Sequence, residues 1–453
     1  MASASSSQQA SLVQFGQKHV THGLGRVVEG VITKGEGSYV YFMDGRKMLD
    51  FTTGIGVTGL GHCHPKVSAA AAAQCVDGIV HVQCSIAFHE PYLQLIERLI
   101  PMMPDPSLDS FFFWNSGSEA VEAAIKLART ATKRQNIISM QGAYHGRTFG
   151  AMAVTKSKTI YSQGFHPLMP GVFTCPYPYW HQLGVPADTP TEKLTETCLN
   201  QLNLLFAQAS APADTAAIII EPLLGEGGYV PAPAGFLQGL RAVCDAHGIL
   251  LIVDEVQSGF GRTGTNYFIE QAGVRPDILL SAKGLANGFP LSAVVSRKEL
   301  TDVLSPGSMG GTYAGNAVAC AAAVAVVDAM KEEKVLENVA ERSAELFAAL
   351  NAVRADAALG RTVLDVRGAG LMVAVEFASP TGTGAHDAMR VASAPAKMAS
   401  RVAKKCVEKG MLLLTTSVYE VVRFIPPLNV SQEDMAKGCA IFREAVEEVV
   451  REG

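Results

Sequence analysis

Ile249-Leu250-Leu251-Ile252-Val253-Asp254-Glu255-Val256-Gln257-Ser258-Gly259 decides how this chain of 453 residues is read. Five consecutive aliphatic residues with no polar alternation describe a strand covered on both faces, the kind found in a parallel sheet between helices. The carboxylate that ends the run is costly to bury ionised unless it meets a cation. At an effective dielectric near 20, an ion pair at about 4 Å gains about 4 kcal/mol before desolvation. Asp254 therefore marks a strand end where a cationic partner is expected. Taken alone, it also reads as a helix-capping aspartate with Glu255 solvated beside it.

Outward from this strand the pattern repeats. From about Phe51 onward, short β-branched runs alternate with Ala-rich helical stretches, as in an α/β domain with a parallel sheet. The spacing predicts strands at Phe111–Trp114, Asn136–Met140, Ala216–Ile220, Leu250–Val253, Ile278–Ser281 and Ser292–Ser296. Helices are expected at Ala120–Gln135 and Phe236–His247, connected by right-handed crossovers. Lys283 then stands just past Ile278–Ser281, one helix plus one strand beyond Asp254, which sets the two strand ends side by side. A lysine at a buried strand end has its pKa lowered by desolvation and becomes a nucleophilic amine.

Two further stretches belong to the same edge. Asn115-Ser116-Gly117-Ser118-Glu119 follows a strand and opens a helix, with Ser116 and Glu119 forming a capping box. The amides of Gly117 and Ser118 then sit at a positive helix end that favours phosphate. Gly310-Gly311-Thr312-Tyr313-Ala314-Gly315-Asn316 is a Gly-rich loop with a hydroxyl and free amides. Each stretch has an ordinary reading, as an N-cap and as a plain turn.

Composition excludes several classes. Apolar residues at 48%, charged ones at 17% and a net charge of -5 describe a globular chain with no electrostatic footprint for nucleic acid or an anionic membrane. Apolar runs such as Ala317 to Val327 fall short of a membrane span. Nine cysteines without a CxxC pair read as reduced thiols of a cytoplasmic or organelle-matrix protein. The Ser-rich start, Met1 to Gln9, reads as a disordered arm. Gly54-Ile55-Gly56-Val57-Thr58-Gly59 spells a dinucleotide-binding string, but Pro65 delays the helix that string requires. His62-Cys63-His64 reads as a packed turn, with no metal site, and neither GxSxG nor HExxH is present.

The organisation predicted is residues 1–60 as an N-terminal arm and part of a small domain, 61–327 as a large cofactor-binding domain, and 328–453 as the C-terminal small domain. A Gly-rich strand is expected at Val366 to Phe377, a surface loop at Ala378 to Pro395, and a helix N-cap at Ser431 with Asp434 three residues on.

Taken together, Gly61-His62-Cys63-His64-Pro65, Asn115 to Glu122, Gly142-Ala143-Tyr144-His145-Gly146-Arg147, Ile220-Glu221-Pro222, Gly225-Glu226-Gly227-Gly228, Asp254 to Gly259, Lys283-Gly284 and Gly311 to Asn316 resemble the class III pyridoxal-phosphate-dependent aminotransferases. The likeness runs from about Gly30 to Arg451 and is greatest to the 4-aminobutyrate aminotransferases. It implies fold type I, a mostly parallel sheet flanked by helices with a smaller α+β domain, and pyridoxal 5'-phosphate as cofactor.

Site roles follow from the resemblance. Lys283 is the Schiff-base lysine and proton shuttle, Asp254 the partner of the pyridinium nitrogen, and Gln257 a donor to the cofactor's 3-hydroxyl oxygen. Gly117 and Ser118 hold the phosphate, Tyr144 and Val256 take opposite ring faces, and His145 and Glu221 complete the cofactor set. Thr312 reaches the phosphate of a neighbouring subunit, which implies a homodimer or a dimer of dimers. Ile55 lies beside the substrate. Arg147 takes its distal carboxylate and Arg423 the α-carboxylate of glutamate, with Glu226 pairing Arg423 when that carboxylate is missing.

The activity implied is ping-pong transfer of an amino group from an ω-amino acid or related amine to a 2-oxo acid such as 2-oxoglutarate or pyruvate. The alternatives are a racemase or epimerase on the same scaffold, an acetylornithine or ornithine-type aminotransferase, and a non-catalytic cofactor-storing dimer. Ser417-Val418-Tyr419-Glu420 departs from the Gly and Asn that related enzymes often carry before the second arginine, so Tyr419 and Glu420 are expected to alter how Arg423 meets a substrate. Phe260 and Asn287 stand at variable positions near the cofactor motifs.

Overall fold

The computed structural model describes residues 2–453. Its centre is a seven-stranded sheet in the order Ser110–Trp114, Ser292–Ser296, Ile278–Ser281, Leu250–Asp254, Thr215–Ile220, Asn136–Met140 and Val172–Cys175. Ser292–Ser296 runs antiparallel to both of its neighbours, and the remaining pairs are parallel. Every residue of Thr215–Ile220, Leu250–Asp254 and Ile278–Ser281 is buried, which is why these strands read as unbroken aliphatic runs. Successive side chains serve opposite faces. Ile252 joins Ile219, Ile278 and the helix Gly117–Thr132 on one side, while Leu251 and Val253 join Leu279 and the helices Ala234–His247 and Ala317–Glu332 on the other.

All six predicted strands are present. The edge strand Val172–Cys175 was not predicted: only Cys175 in it is fully buried and Thr174 is exposed, so it lacks an apolar run. Asp254 lies opposite Leu280 in the parallel ladder, so Asp254 and Lys283 emerge at the same sheet edge.

A second, antiparallel sheet holds Val363–Ala369, Met372–Phe377, Val421–Phe424 and Leu414–Thr416, in that order, with the helices Val335–Ala355, Met398–Glu408 and Gln432–Glu452 against it. The single strand expected over 366–377 is a hairpin, because Gly370 turns the chain at φ +54 where a Cβ would lie 2.6 Å from the Thr263 backbone. Strands Ile32–Glu36, Tyr39–Phe42 and Lys47–Asp50 form a third sheet, which Met411–Leu412 joins in parallel, so both ends of the chain share it.

The start of the chain is not a disordered arm: Ala2–His19 is a helix, with Lys18 and His19 in its last turn complementing the helix dipole. Residues 378–395 form a loop of turns without regular structure. Ser431 caps its helix, accepting from the Asp434 amide at 3.0 Å. In the His62–His64 turn each imidazole faces its own carboxylate, His62 at 2.8 Å from Asp50 and His64 at 3.1 Å from Glu333. Among the described residues, no helix is long and apolar enough to cross a membrane.

Candidate active site

A cavity of about 800 Å³ opens at the carboxyl ends of the parallel strands. Asp254 reaches it from the end of its strand, with one carboxylate oxygen 2.8 Å from Nδ1 of His145 and the other accepting from the Val256 amide at 3.0 Å. The carboxylate accepts the Nδ1 proton, which leaves Nε2 of His145 buried and without a partner. Oε1 of Gln257, on the turn after the strand, is likewise buried and unpartnered. Two orphaned polar atoms beside a buried carboxylate mark a site built for a polar guest.

Glu221 sits under the same floor. Its two oxygens accept from the Tyr144 amide at 2.7 Å and the Gly225 amide at 2.9 Å. Burial pushes its pKa up to about 7, helped by Asp254 and opposed by His145 and the two amides. Lys283 lines the cavity directly after its strand, in the left-handed region at φ +46, a conformation disfavoured for any side chain with a Cβ. Burial lowers its pKa below that of an ordinary lysine, with Asp254, Glu226 and Glu221 acting against the shift.

Opposite, the helix Gly117–Thr132 starts at the cavity wall. Ser116 caps it, and the Gly117 and Ser118 ends face the opening. A Cβ on Gly117 would lie 3.0 Å from Cγ1 of Val256, so this helix start approaches the Asp254 turn closely and a larger residue would have to displace the Val256 side chain.

The far end of the cavity is cationic. Arg423, in strand Val421–Phe424, is only 4% exposed and its Nη1 donates to Oε1 of Glu226, while its Nε is buried without a partner. Glu226 also receives the Tyr161 hydroxyl at 3.2 Å and lies 3.7 Å from Nζ of Lys158. Although burial raises the Glu226 pKa, Arg423 and Lys158 together bring it below the ordinary carboxylate value. Arg147 stands at the mouth, donating from Nε to the Tyr144 hydroxyl at 3.0 Å and lying over the Tyr161 ring at 4.5 Å.

Another part of the wall is Gly54, Ile55 and Val57, within the stretch that spells the dinucleotide string. Thr53, Gly54, Ile55 and Gly56 all have positive φ, at +44, +63, +69 and +77, forming one left-handed turn. For Thr and Ile this costs about 1–2 kcal/mol each, and Ile55 is thereby set against the cavity.

Every residue expected at the site lines this cavity except Thr312, which is exposed on the Gly-rich loop away from it. Lys158, Tyr161 and Thr415 line it without having been predicted. Lys158 immediately precedes the short turn Thr159–Tyr161 and Tyr161 ends it, inside a long connection between strands, where a lysine carries no local sign of burial. Their only sequence signal is a Lys and a Tyr three residues apart in a connection that leaves a parallel strand's carboxyl end.

Tyr419 and Glu420, expected to alter how Arg423 meets a substrate, do not line the cavity and are engaged elsewhere. Tyr419 stacks on His181 with ring centroids 3.7 Å apart, and Glu420 accepts from the Ala399 amide at 2.9 Å, at the start of helix Met398–Glu408. Asn287 accepts from the Leu60 amide at 2.8 Å and donates to the Gly61 carbonyl at 3.1 Å, and Phe260 packs under Gly284, so both support the site from behind.

The sequence profile of the family described as Aminotransferase class-III matches residues 23–446. The 5-aminovalerate aminotransferase DavT of Pseudomonas aeruginosa is 38% identical to this chain, covering 97% of it and 98% of its own length. The 4-aminobutyrate aminotransferase GabT of Escherichia coli is also 38% identical, over 96% of this chain and 98% of its own. Among solved structures, an omega transaminase from Pseudomonas jessenii in complex with PMP superposes with a TM-score of 0.88 at 26% identity, over 97% of this chain and 98% of that one.

Proposed function

This chain belongs to the class III aminotransferases, and from that premise we propose that it transfers the amino group of an ω-amino acid such as 4-aminobutyrate or 5-aminovalerate to a 2-oxo acid such as 2-oxoglutarate or pyruvate. Aminotransferases of this class depend on pyridoxal 5'-phosphate. The donor set fits that group: a helix start for a phosphate, a buried carboxylate for a pyridinium nitrogen, the Gln257 side-chain amide and a lysine share one cavity. When bound, the cofactor supplies an electron-poor ring that accepts the electron pair of the bond broken at the amine-bearing carbon.

The protein's own groups do the rest. Gly117 and Ser118 amides hold the phosphate, Asp254 keeps a ring nitrogen protonated, and His145 fixes the Asp254 carboxylate. Gln257, Tyr144, Val256 and Glu221 orient the ring. Nζ of Lys283, with its lowered pKa, takes the proton from the amine-bearing carbon and returns it at the neighbouring position. Arg147 binds the distal carboxylate, Ile55 packs beside the chain of the donor, and Arg423 binds the α-carboxylate of glutamate once Glu226 releases it. Thr312 serves the phosphate of a second subunit in a homodimer; its exposed position outside its own cavity supports that role. A cytoplasmic location fits nine free cysteines.

The observation that carries this reading is the meeting of Lys283, Asp254 and the Gly117–Ser118 helix start in one cavity. The test mixes purified enzyme with 4-aminobutyrate or 5-aminovalerate, with and without 2-oxoglutarate or pyruvate, and follows aldehyde and amino-acid formation. Lys283→Ala should abolish both turnover and the visible absorption of the loaded enzyme. No aldehyde from either donor with either acceptor, together with racemisation of L-glutamate or L-alanine when no oxo-acid acceptor is present, would overturn transamination.

A further inference from the structure

The left-handed turn Thr53–Gly56 is disfavoured by its own backbone, so something outside it must hold it. Asp50, at the end of strand Lys47–Asp50, does so from one side. Its Oδ1 accepts from the Thr52 amide at 2.8 Å, the Thr52 hydroxyl at 2.6 Å and the Thr53 amide at 3.1 Å. Its Oδ2 accepts from Nε2 of His62 at 2.8 Å, which uses both carboxylate oxygens. Asp50 is 3% exposed, and although burial raises its pKa, the bonds from His62 and Thr52 hold it below the ordinary value. From the other side, the Thr53 hydroxyl donates to the Ile425 carbonyl at 3.0 Å, two residues beyond Arg423.

Neither Asp50 nor His62 lines the cavity, yet the turn they hold forms a wall of it. The same turn sets Gly56 beside Gln257 and Ile425, each at ordinary van der Waals range, 3.5 Å from where a Cβ would stand. A shift of this backbone therefore changes the room between Ile55 and the cationic end, where the substrate's chain must fit.

We propose that Asp50 and His62 are positioning residues that fix the left-handed turn carrying Ile55, and through it set the length of ω-amino acid that the cavity accepts. The proposal rests on the ω-amino-acid reading of the site. Since one methylene in an apolar pocket is worth about tenfold or more in discrimination, a loosened turn should move the ratio of kcat/KM for 5-aminovalerate over 4-aminobutyrate by about that factor, towards the longer donor.

The experiment measures that ratio, with KM and kcat separately, in Asp50→Ala, His62→Leu and His62→Gln. It also measures calorimetric binding of the non-reacting carboxylates butanoate and pentanoate to each. His62→Leu removes the donor and should shift both the kinetic ratio and the relative carboxylate affinities, whereas His62→Gln retains a side-chain N–H and should restore them. Should Asp50→Ala fail to fold, the two His62 variants carry the test alone. Equal losses on both donors, or an unchanged ratio, overturn the positioning role while leaving the function intact. A wild-type enzyme inactive on every ω-amino acid overturns the functional reading and this one with it.

Discussion

Arg423 and Glu226 are ion-paired inside the cavity, Nη1 to Oε1, with the arginine 4% exposed and its Nε left without a partner. A buried guanidinium stripped of its carboxylate is strongly disfavoured, and a substrate carboxylate is the natural replacement. Glu226→Gln should therefore slow the half-reaction with 4-aminobutyrate, which has no α-carboxylate, by about tenfold or more, the value of one charge-assisted contact. The half-reaction with glutamate, which supplies that carboxylate, should fall less or rise. Stopped-flow absorbance of each half-reaction reads the two separately, and equal effects on both donors would refute the exchange.

Glu255 neighbours Asp254 in sequence but does not line the cavity. It accepts from the Ile269 amide at 2.8 Å and from the Ser258 hydroxyl. Burial pushes its pKa from the ordinary 4.5 up to about 7. Between those values the folded protein holds a proton that the unfolded chain has lost, so stability falls as pH rises through that window, by up to about 3 kcal/mol. Glu255→Gln keeps a donor for Ser258 and an acceptor for Ile269 without the titration. Urea denaturation at pH 5 and pH 8 should show a smaller loss between the two conditions in the variant than in the wild type.

Arg367 secures the Glu226 loop from outside the cavity. Its Nε and Nη2 donate to the Gly228 carbonyl at 3.0 and 2.7 Å, and its Nη1 pairs with Glu376, whose side chain is 0% exposed. The Tyr179 hydroxyl donates to the same carboxylate at 2.5 Å, and His181 contacts its other oxygen. Arg367→Met removes the guanidinium paired with buried Glu376, leaving it only Tyr179 and His181, and should destabilise the protein by about 3–5 kcal/mol. Arg367→Met with Glu376→Gln removes both charges and should recover part of that loss. Denaturation midpoints of the single and double variants, measured under one set of conditions, check the coupling.

What was legible in the sequence was whatever the sheet stamped on it locally. Leu250–Asp254 and Ile278–Ser281 are buried on both faces, so they had to be aliphatic, and a charge at the end of either run stood out. Asp254 and Lys283 were readable for that reason. Val172–Cys175 lies at the sheet edge with Thr174 exposed and carries no such mark. Asp50 and His62 are separated by a strained turn whose shape no local pattern announces. Tyr419 and Glu420 looked like neighbours of Arg423 because they are near it in sequence, yet their partners, His181 and the Ala399 amide, come from distant segments.

Lys158 shows what that distance in sequence hides. Three cations, Arg423, Lys158 and Arg147, line the cavity near Glu226, and Lys158 lies 3.7 Å from it. Burial lowers the Lys158 pKa, and the positive fields of Arg423 and Arg147 deepen the shift that Glu226 opposes. A substrate carboxylate entering this end adds a second anion and relieves the repulsion among the three. Lys158→Met should then raise KM for 4-aminobutyrate and for 2-oxoglutarate by about tenfold, the value of a charged contact, with a smaller change in kcat. Simple amines without a carboxylate should be unaffected or bind better, because they gain nothing from the lysine. Steady-state KM values for a carboxylate donor and an uncharged-tail amine, compared in wild type and Lys158→Met, decide it: a parallel rise for both would mean that Lys158 shapes the cavity and does not bind anions.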